Sequence, residues 1–302
     1  LSANRPDICD YEGSTYRTEF WGDERRDYED RVERMALRRL LPPTGQRVLQ
    51  IGAGFGRLTD ELRPFQQVVL LDYSHSMLHQ AHERLGDAPH GQRHIYVAAD
   101  VYRLPFAPGA FDAATMIRVI HHLVDPPSAL RQLRAALADG ATFVLEFANK
   151  RNIKAIARYL LGRQDWNPFD RAPVEFAPLH FDLHPAYVRR ALEENGFVVR
   201  RQLTVSHFRL ALLKRLVPTA VLAALDSLVQ PTGRWWQYTP SVFVLAQTTG
   251  RPAPPTEALF KCPECGCLEM EETATSVDCL ACGRRYPLAD GIYNFKEPGL
   301  SR

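Results

Sequence analysis

Three glycines at alternate positions, Gly52, Gly54 and Gly56, follow an apolar run at 47–51, and a second apolar run at 67–72 ends in Asp72. Glycine admits the left-handed backbone that a tight turn needs, and it lets main chain approach a ligand closely. A helix opening after such a turn favours an electronegative or anionic group at its N-terminus. An acidic side chain about one strand–helix–strand repeat onward can accept hydrogen bonds from both ribose hydroxyls. The spacing therefore predicts a site for an adenosine-containing cofactor. The glycines run G-x-G-x-G, and Arg57 stands where the dinucleotide fingerprint has its last glycine.

A second chemistry lies near the C-terminus. Cys9 stands alone, the next 252 residues hold no cysteine, and then Cys262, Cys265, Cys267, Cys279 and Cys282 arrive together. Cys262 with Cys265 and Cys279 with Cys282 form two C-x-x-C knuckles separated by 13 residues, each followed by a glycine, Gly266 or Gly283. Four thiolates at ~2.3 Å make a closed tetrahedral zinc site with no position left for water, so its role should be structural. Iron fits the same donors. Cys267 falls outside the knuckles. A secreted disulfide domain would spread its cysteines, whereas this clustering suits a reducing, cytoplasmic setting.

These groups need a scaffold. Apolar runs alternate with helical patterns, giving strands at 47–51, 67–72, 94–99, 111–117 and 141–148 and helices at 56–63, 75–85 and 127–138. Gly140 suits a tight return into the fifth strand. A helix at 185–195 and strands at 197–204 and 242–246 follow. Near-continuous apolar strands alternating with helices predict an α/β fold, a parallel sheet covered on both faces. Before it, residues 27–41 read as a helix, and Tyr11, Tyr16, Phe20, Trp21 and Tyr28 mark residues 1–45 as either an edge-packing element or a flap over the site. Two stretches interrupt the alternation, 150–180 and 208–236, the latter ending in Trp235 and Trp236. They are read as a substrate lid, or for 208–236 equally as helices covering the core, with a membrane-surface role for the Trp pair as a further alternative. The organisation expected is a flap (1–45), a main domain (46–248), a proline-rich linker (249–260) and a zinc ribbon (261–302).

His121 and His122 follow the fourth strand, at the mouth of the expected site. With an unperturbed pKa near ~6.5, an imidazole there could take a proton from an acceptor hydroxyl or amine, or the pair could merely cap the turn. Glu146, His180 and His184 are further candidates.

The glycine turn resembles motif I of the class I S-adenosylmethionine-dependent methyltransferases, although Gln50 stands where that motif usually has an acidic residue. The resemblance spans roughly 45–248. Leu104-Pro105-Phe106 followed by Phe111-Asp112 is similar to the L-P-F…F-D signature of the small-molecule branch. The resemblance implies a Rossmann-like seven-stranded sheet and S-adenosylmethionine held by Gly52, Ala53, Gly54, Gly56 and Asp72. Tyr73 and Met77 would contact the adenosine, and Asp100 the adenine amino group with Val101 stacked on the ring. Arg118 would face the methionine part. Asp112, at a strand start, is read as structural. The segment from Tyr286 to Phe295 resembles the ending of Trm112p-like zinc modules, with Tyr293 in place of the usual proline. Such modules activate methyltransferases, so a stabilising role or a docking surface for a protein partner is implied.

The apolar share of 45% and charged share of 24% are those of a soluble globular protein. A net charge of +2 gives no strong signal for nucleic acid or membrane, and the pairs Arg200-Arg201 and Arg284-Arg285 are short. No apolar stretch approaches a transmembrane length. The expectation is methyl transfer to an O, N or C nucleophile of a small or medium-sized metabolite. Two alternatives stand beside it: a methyltransferase of RNA or a translation protein that docks through the ribbon, and a non-enzymatic cofactor-binding scaffold.

Overall fold

The amphipathic stretch after Arg26 forms helix α1 (Asp27–Leu40), which buries Tyr28, Val32, Ala36, Leu37 and Leu40 along one face. Acids in its first turn and Arg38 and Arg39 in its last complement the helix dipole. A computed structural model describes residues 6–15, 21, 26–86, 93–250, 257–296 and 299–300. Tyr16, Phe20 and residues 251–256 of the proline-rich linker lie outside the described residues.

Strand and helix then alternate: β1 (Gly45–Ile51), β2 (Phe65–Asp72), α2 (His75–Leu85), β3 (Arg93–Ala98), β4 (Phe111–Met116), α3 (Pro126–Ala136) and β5 (Leu137–Ala148). There follow α4 (Ile153–Leu160), the hairpin β6 (Val174–Ala177) and β7 (His180–Asp182), α5 (Pro185–Glu194), β8 (Phe197–Val205), α6 (Ala211–Leu216), α7 (Thr219–Val229) and β9 (Ser241–Thr248). The main strands run in the order β3-β2-β1-β4-β5-β9-β8, parallel except for β9, which is antiparallel to both its neighbours. This is the α/β Rossmann-like sheet that the sequence predicts. Side chains alternate along β5: Phe143, Leu145 and Phe147 pack with α3 and α5 on one face, while Val144 joins α1 and α7 on the other.

Two local expectations are corrected. The helix expected at 56–63 is only a 3-10 turn, Thr59–Leu62, because Gly52, Gly54 and Gly56 all take left-handed backbone and delay any helical run. The fifth strand starts at Leu137, so Gly140 (φ +67°) sits inside the strand, opposite a register shift in β4, rather than in a turn before it.

The cysteine region folds into short strands, β10 (Met270–Glu272), β11 (Ser276–Cys279), β12 (Arg284–Ala289), β13 (Ile292–Asn294) and β14 (Gly299–Leu300). It does not stand apart. β13 pairs in parallel with β3, Ile292 to Tyr96 and Asn294 to Ala98, which makes the main sheet and the ribbon one twelve-stranded sheet. Main-chain bonds reinforce the join: Phe295 N donates to the Ala98 carbonyl at 2.8 Å, Lys261 N to that of Pro105 at 2.9 Å, and Ala107 N to that of Leu259 at 2.9 Å. Phe260 stacks on Phe106 at 6.2 Å and meets Tyr293 and Phe295 at 5.0 Å each. Residues Pro105 and Phe106 of the L-P-F stretch thus form the seat of the ribbon. Removing that anchor with Phe260→Ala should cost about 3 kcal/mol in chemical denaturation, the usual price of an emptied aromatic site.

Candidate active site

β1 ends at the glycine turn, and each glycine there has positive φ (+65°, +52° and +76°). At Gly52 a Cβ would lie 2.1 Å from Val119 Cγ2, so only glycine fits. At Gly54 a Cβ would meet nothing within 4 Å, which leaves the main chain open towards the cleft. Asp72, at the C-terminal end of β2, fastens this turn: its carboxylate accepts from Gly54 N at 2.7 Å and from Ser74 N at 2.9 Å. Burial raises the Asp72 pKa above the ordinary carboxylate value, and these N–H donors only partly offset it. Ser74 then caps α2, accepting from Met77 N at 3.2 Å.

A cleft opens at the strand C-terminal ends, where open α/β sheets place their sites. Gly52, Ala53, Gly54, Asp72, Tyr73, Met77, Val101, Arg118 and His122 all line it. Gly56 is in the turn but does not line it. Asp100 sits between the lining residues Ala99 and Val101, with one carboxylate oxygen accepting from Tyr102 N at 2.7 Å. Gln50 lines the floor, where its Oε1 accepts from Thr59 Oγ1 at 2.8 Å. Asp112 accepts from Gln46 N and Arg47 N at 2.8 and 2.7 Å and so secures the start of β1.

The N-terminal segment covers the cleft. Ile8, Cys9, Tyr11 and Trp21 line it, Ile8 bridges to Leu123, and Glu12 accepts from His75 N at 2.7 Å and Ser76 N at 3.0 Å. Of the N-terminal aromatics, Tyr11 and Trp21 line the cleft and Tyr28 is buried in the core.

Sequence reasoning missed the ionic cluster beneath that cover. Glu33 on α1 is buried and accepts from Arg57 Nη2 at 2.6 Å and from Arg118 Nε at 3.0 Å. Arg57 also pairs with Asp30, and its guanidinium lies 3.7 Å from the centre of the Trp21 ring. Burial alone would raise the Glu33 pKa, but the Arg118 and Arg57 charges outweigh it and hold the carboxyl below the ordinary range. Arg118 has φ +61°, an uncommon backbone for a side chain of its size. Glu146 stabilises it by accepting from Arg118 N at 2.9 Å while taking a 2.6 Å hydrogen bond from Ser241 Oγ. Each oxygen of Glu146 thus carries one of these bonds, and the residue, which does not line the cleft, holds the Arg118 backbone.

The histidines separate. His122 Nδ1 lies 3.1 Å from the Leu179 carbonyl, which assigns the proton to that nitrogen and leaves Nε2 with a lone pair. Burial pushes its pKa down to about 4, so it is neutral at pH 7. His121 stacks against it at 4.4 Å but does not line the cleft, and burial holds it well below the ordinary value. His180 meets His122 edge-on at 4.5 Å. His184 is a helix cap: its Nδ1 accepts from Ala186 N at 3.0 Å, which commits the lone pair to α5.

Across the ribbon, the sulfur atoms of Cys262, Cys265, Cys279 and Cys282 all lie within 4.8 Å of one another. Cys262 N donates to the Cys267 carbonyl, and Gly266 and Gly283 return to the Cys262 and Cys279 carbonyls at 2.8 and 2.9 Å, forming two knuckles. Cys267 is outside the group and accepts from Glu269 N at 3.3 Å.

Sheet order, glycine turn and terminal aspartate together define a Rossmann-like methyltransferase fold. Residues 49–145 match the family model described as a methyltransferase domain. An uncharacterized chloroplastic methyltransferase of Arabidopsis thaliana is 34% identical over 116 residues, covering 36% of this chain and 33% of that protein. A ubiquinone/menaquinone biosynthesis C-methyltransferase of Pseudomonas savastanoi pv. phaseolicola is 37% identical over 114 residues, 36% of this chain and 44% of that protein. An O-methyltransferase of Penicillium expansum is 33% identical over 119 residues, 38% and 43% of the two chains. The chain thus spans between a third and under half of these relatives' lengths. Among solved structures, a complex of the Haloferax volcanii Trm112 methyltransferase activator with a candidate methyltransferase gives a TM-score of 0.54 at 15% identity, covering 82% of this chain and 100% of that one. An S-adenosylmethionine-dependent methyltransferase from Thermotoga maritima gives 0.53 at 17%, covering 80% and 98%. At these identities the structural likeness shows the fold.

The Glu33 cluster has a pH signature. Because its folded pKa is depressed, its stabilisation is complete above the unfolded value of ~4.3 and is lost as pH falls through the lower folded value. Glu33→Gln should cost about 3 kcal/mol at neutral pH. The gap between wild type and variant, followed by urea denaturation, should close as the pH is lowered below the ordinary carboxylate range.

Proposed function

We propose that the protein transfers the methyl group of S-adenosylmethionine to a small or medium-sized acceptor. The observation that carries this is Asp72, half-buried at the end of β2 and held against the Gly52–Gly56 turn at the rim of the cleft. The match to the methyltransferase domain model and the names of the relatives support it. Two of those names, a quinone C-methyltransferase and an O-methyltransferase, favour a small-molecule acceptor over RNA or protein.

The residues present fit the cofactor. Asp72 faces the cleft with a carboxylate suited to a ribose diol, and Ile51, Leu71, Met77 and Val101 offer apolar surface for the adenine. When bound, the cofactor supplies an electrophilic methyl group on a positively charged sulfur. The chain's task is then alignment of acceptor, methyl and sulfur, which can lower a barrier by roughly 7–11 kcal/mol. The N-terminal cover excludes water. His122 Nε2 can accept a hydrogen bond from the acceptor and receive its proton as the new bond to carbon forms. Its low pKa makes it a weak base, which suits an acceptor that is already acidic or deprotonated.

The four thiolates fit a structural Zn²⁺, and the reducing, cytoplasmic setting expected from the sequence would keep them available. We assign the ribbon a stabilising role in cis. β13 uses its strand edge on β3, and the ribbon's last described side chain, Lys296, reaches the Tyr73 ring at 4.4 Å beside the cleft.

Titration calorimetry should find micromolar binding of S-adenosylmethionine and none of NADH. Asp72→Ala should weaken it more than about tenfold, or ~1.4 kcal/mol. As the Asp72 pKa is raised, binding should fall on acidification at a higher pH than for an ordinary carboxylate. Absence of binding by folded, metal-loaded protein would overturn the reading. For the ribbon, elemental analysis should give one zinc per chain, and chelation should lower the melting temperature of the whole chain. A melting curve unchanged by chelation would refute the stabilising role.

A further inference from the structure

The two insertions carry a surface that methyl transfer does not explain. Reading 208–236 as lid or core cover implies buried apolar faces, yet α7 buries only Leu222, Ala223 and Asp226 and turns Val221, Leu225 and Leu228 outwards. α6 buries nothing, and Leu210, Leu212 and Leu216 are exposed. Trp235 and Trp236 are 64% and 63% exposed, and Leu228 reaches 76%. On α4, Ile153, Leu160 and Leu161 are exposed in turn. The surfaces meet: Ile153 N donates to the Tyr238 carbonyl at 2.9 Å, and Lys154 Nζ to the Arg209 carbonyl at 2.9 Å.

The exposed charges of α4, α6 and α7 are basic, with Asp182 beside Arg158 and Asp27 and Asp30 in the neighbouring groove. Lys154, Arg158, Arg163, Arg215 and Arg234 are exposed on this face. Residues 151–164 contain no acid, although the exposed Asp165 and Asp170 follow them, and the one acid in 209–238, Asp226, is fully buried, bonded to Tyr28 Oη at 2.6 Å. Arg209 and Lys214 turn inwards to Glu29. Exposed leucines on short helices, a tryptophan pair and an excess of exposed cations are the composition of a segment lying in a membrane interface. A second copy of the chain would bring like charges together, which disfavours self-association through this face. No helix among the described residues is long and apolar enough to cross a membrane, so the contact would be peripheral.

We propose that α4, α6, α7 and the Trp235–Trp236 pair dock this protein on an anionic phospholipid bilayer. The geometry ties that face to the cleft: a groove beside it, lined by Ala211, Lys214 and Thr219, runs inwards to Trp21, Phe55 and Arg57, which also line the cleft. The proposal stands on exposure and charge and does not depend on the reading of the reaction.

The test is flotation of the full, zinc-loaded chain with vesicles of phosphatidylcholine alone, or with about 30 mol% phosphatidylglycerol. The protein should float with the anionic vesicles and stay behind with the neutral ones, and salt should weaken the binding. Trp235→Ala with Trp236→Ala, and separately Arg215→Glu with Arg234→Glu, should each lower the bound fraction about tenfold. Both pairs are exposed, so melting temperatures should match wild type. No flotation with anionic vesicles would overturn the proposal, as would equal binding by both variants. Sedimentation showing a dimer that Leu228→Glu dissolves would overturn it in favour of a second copy.

Discussion

One buried carboxylate, Glu33, joins three parts of the molecule around the cleft. It comes from the N-terminal helix, and its two guanidinium partners come from the residue after the glycine turn and from the end of β4. A charge with so little exposure is tolerable only when paired. The pairing therefore fixes where α1 crosses the sheet and, with it, the cover over the cleft. Arg118 is constrained twice, by Glu33 at its side chain and by Glu146 at its backbone, and its side of the cleft takes its shape from that double hold.

The sheet strands were legible in the sequence because parallel strands buried on both faces are nearly continuous apolar runs. The glycine turn and the cysteine knuckles were legible because each is a local pattern with a fixed spacing. The Glu33 cluster was not, since its members are 24 and 85 residues apart and helix periodicity marks Glu33 only as a polar position beside Val32. The helix expected at 56–63 gives way to a short turn because Gly56, at its start, takes left-handed backbone that apolar spacing does not reveal. His184 and Glu146 carry side chains suited to catalysis, but both are committed away from the cleft, His184 to the α5 cap and Glu146 to the Arg118 backbone. That commitment is a tertiary fact which residue type cannot reveal.

The ribbon solves a problem of the sheet. β3 would otherwise be an edge strand with a row of unpaired main-chain groups, a template for association. β13 covers it at Tyr96 to Ala98, although a three-residue strand carries no periodic signal by which sequence could place it. The aromatic cluster of Phe106, Phe260, Tyr293 and Phe295 then makes the metal module and the sheet share one core.

That shared edge has a consequence for how the protein survives dilution. An activator bound as a separate chain leaves when concentration falls below its dissociation constant. A module on the same chain faces its seat at a local concentration fixed by the tether, on the order of millimolar for a short flexible linker. Occupancy of the β3 edge therefore depends on the tether and not on how much protein the cell makes, and the two parts cannot drift out of equal supply.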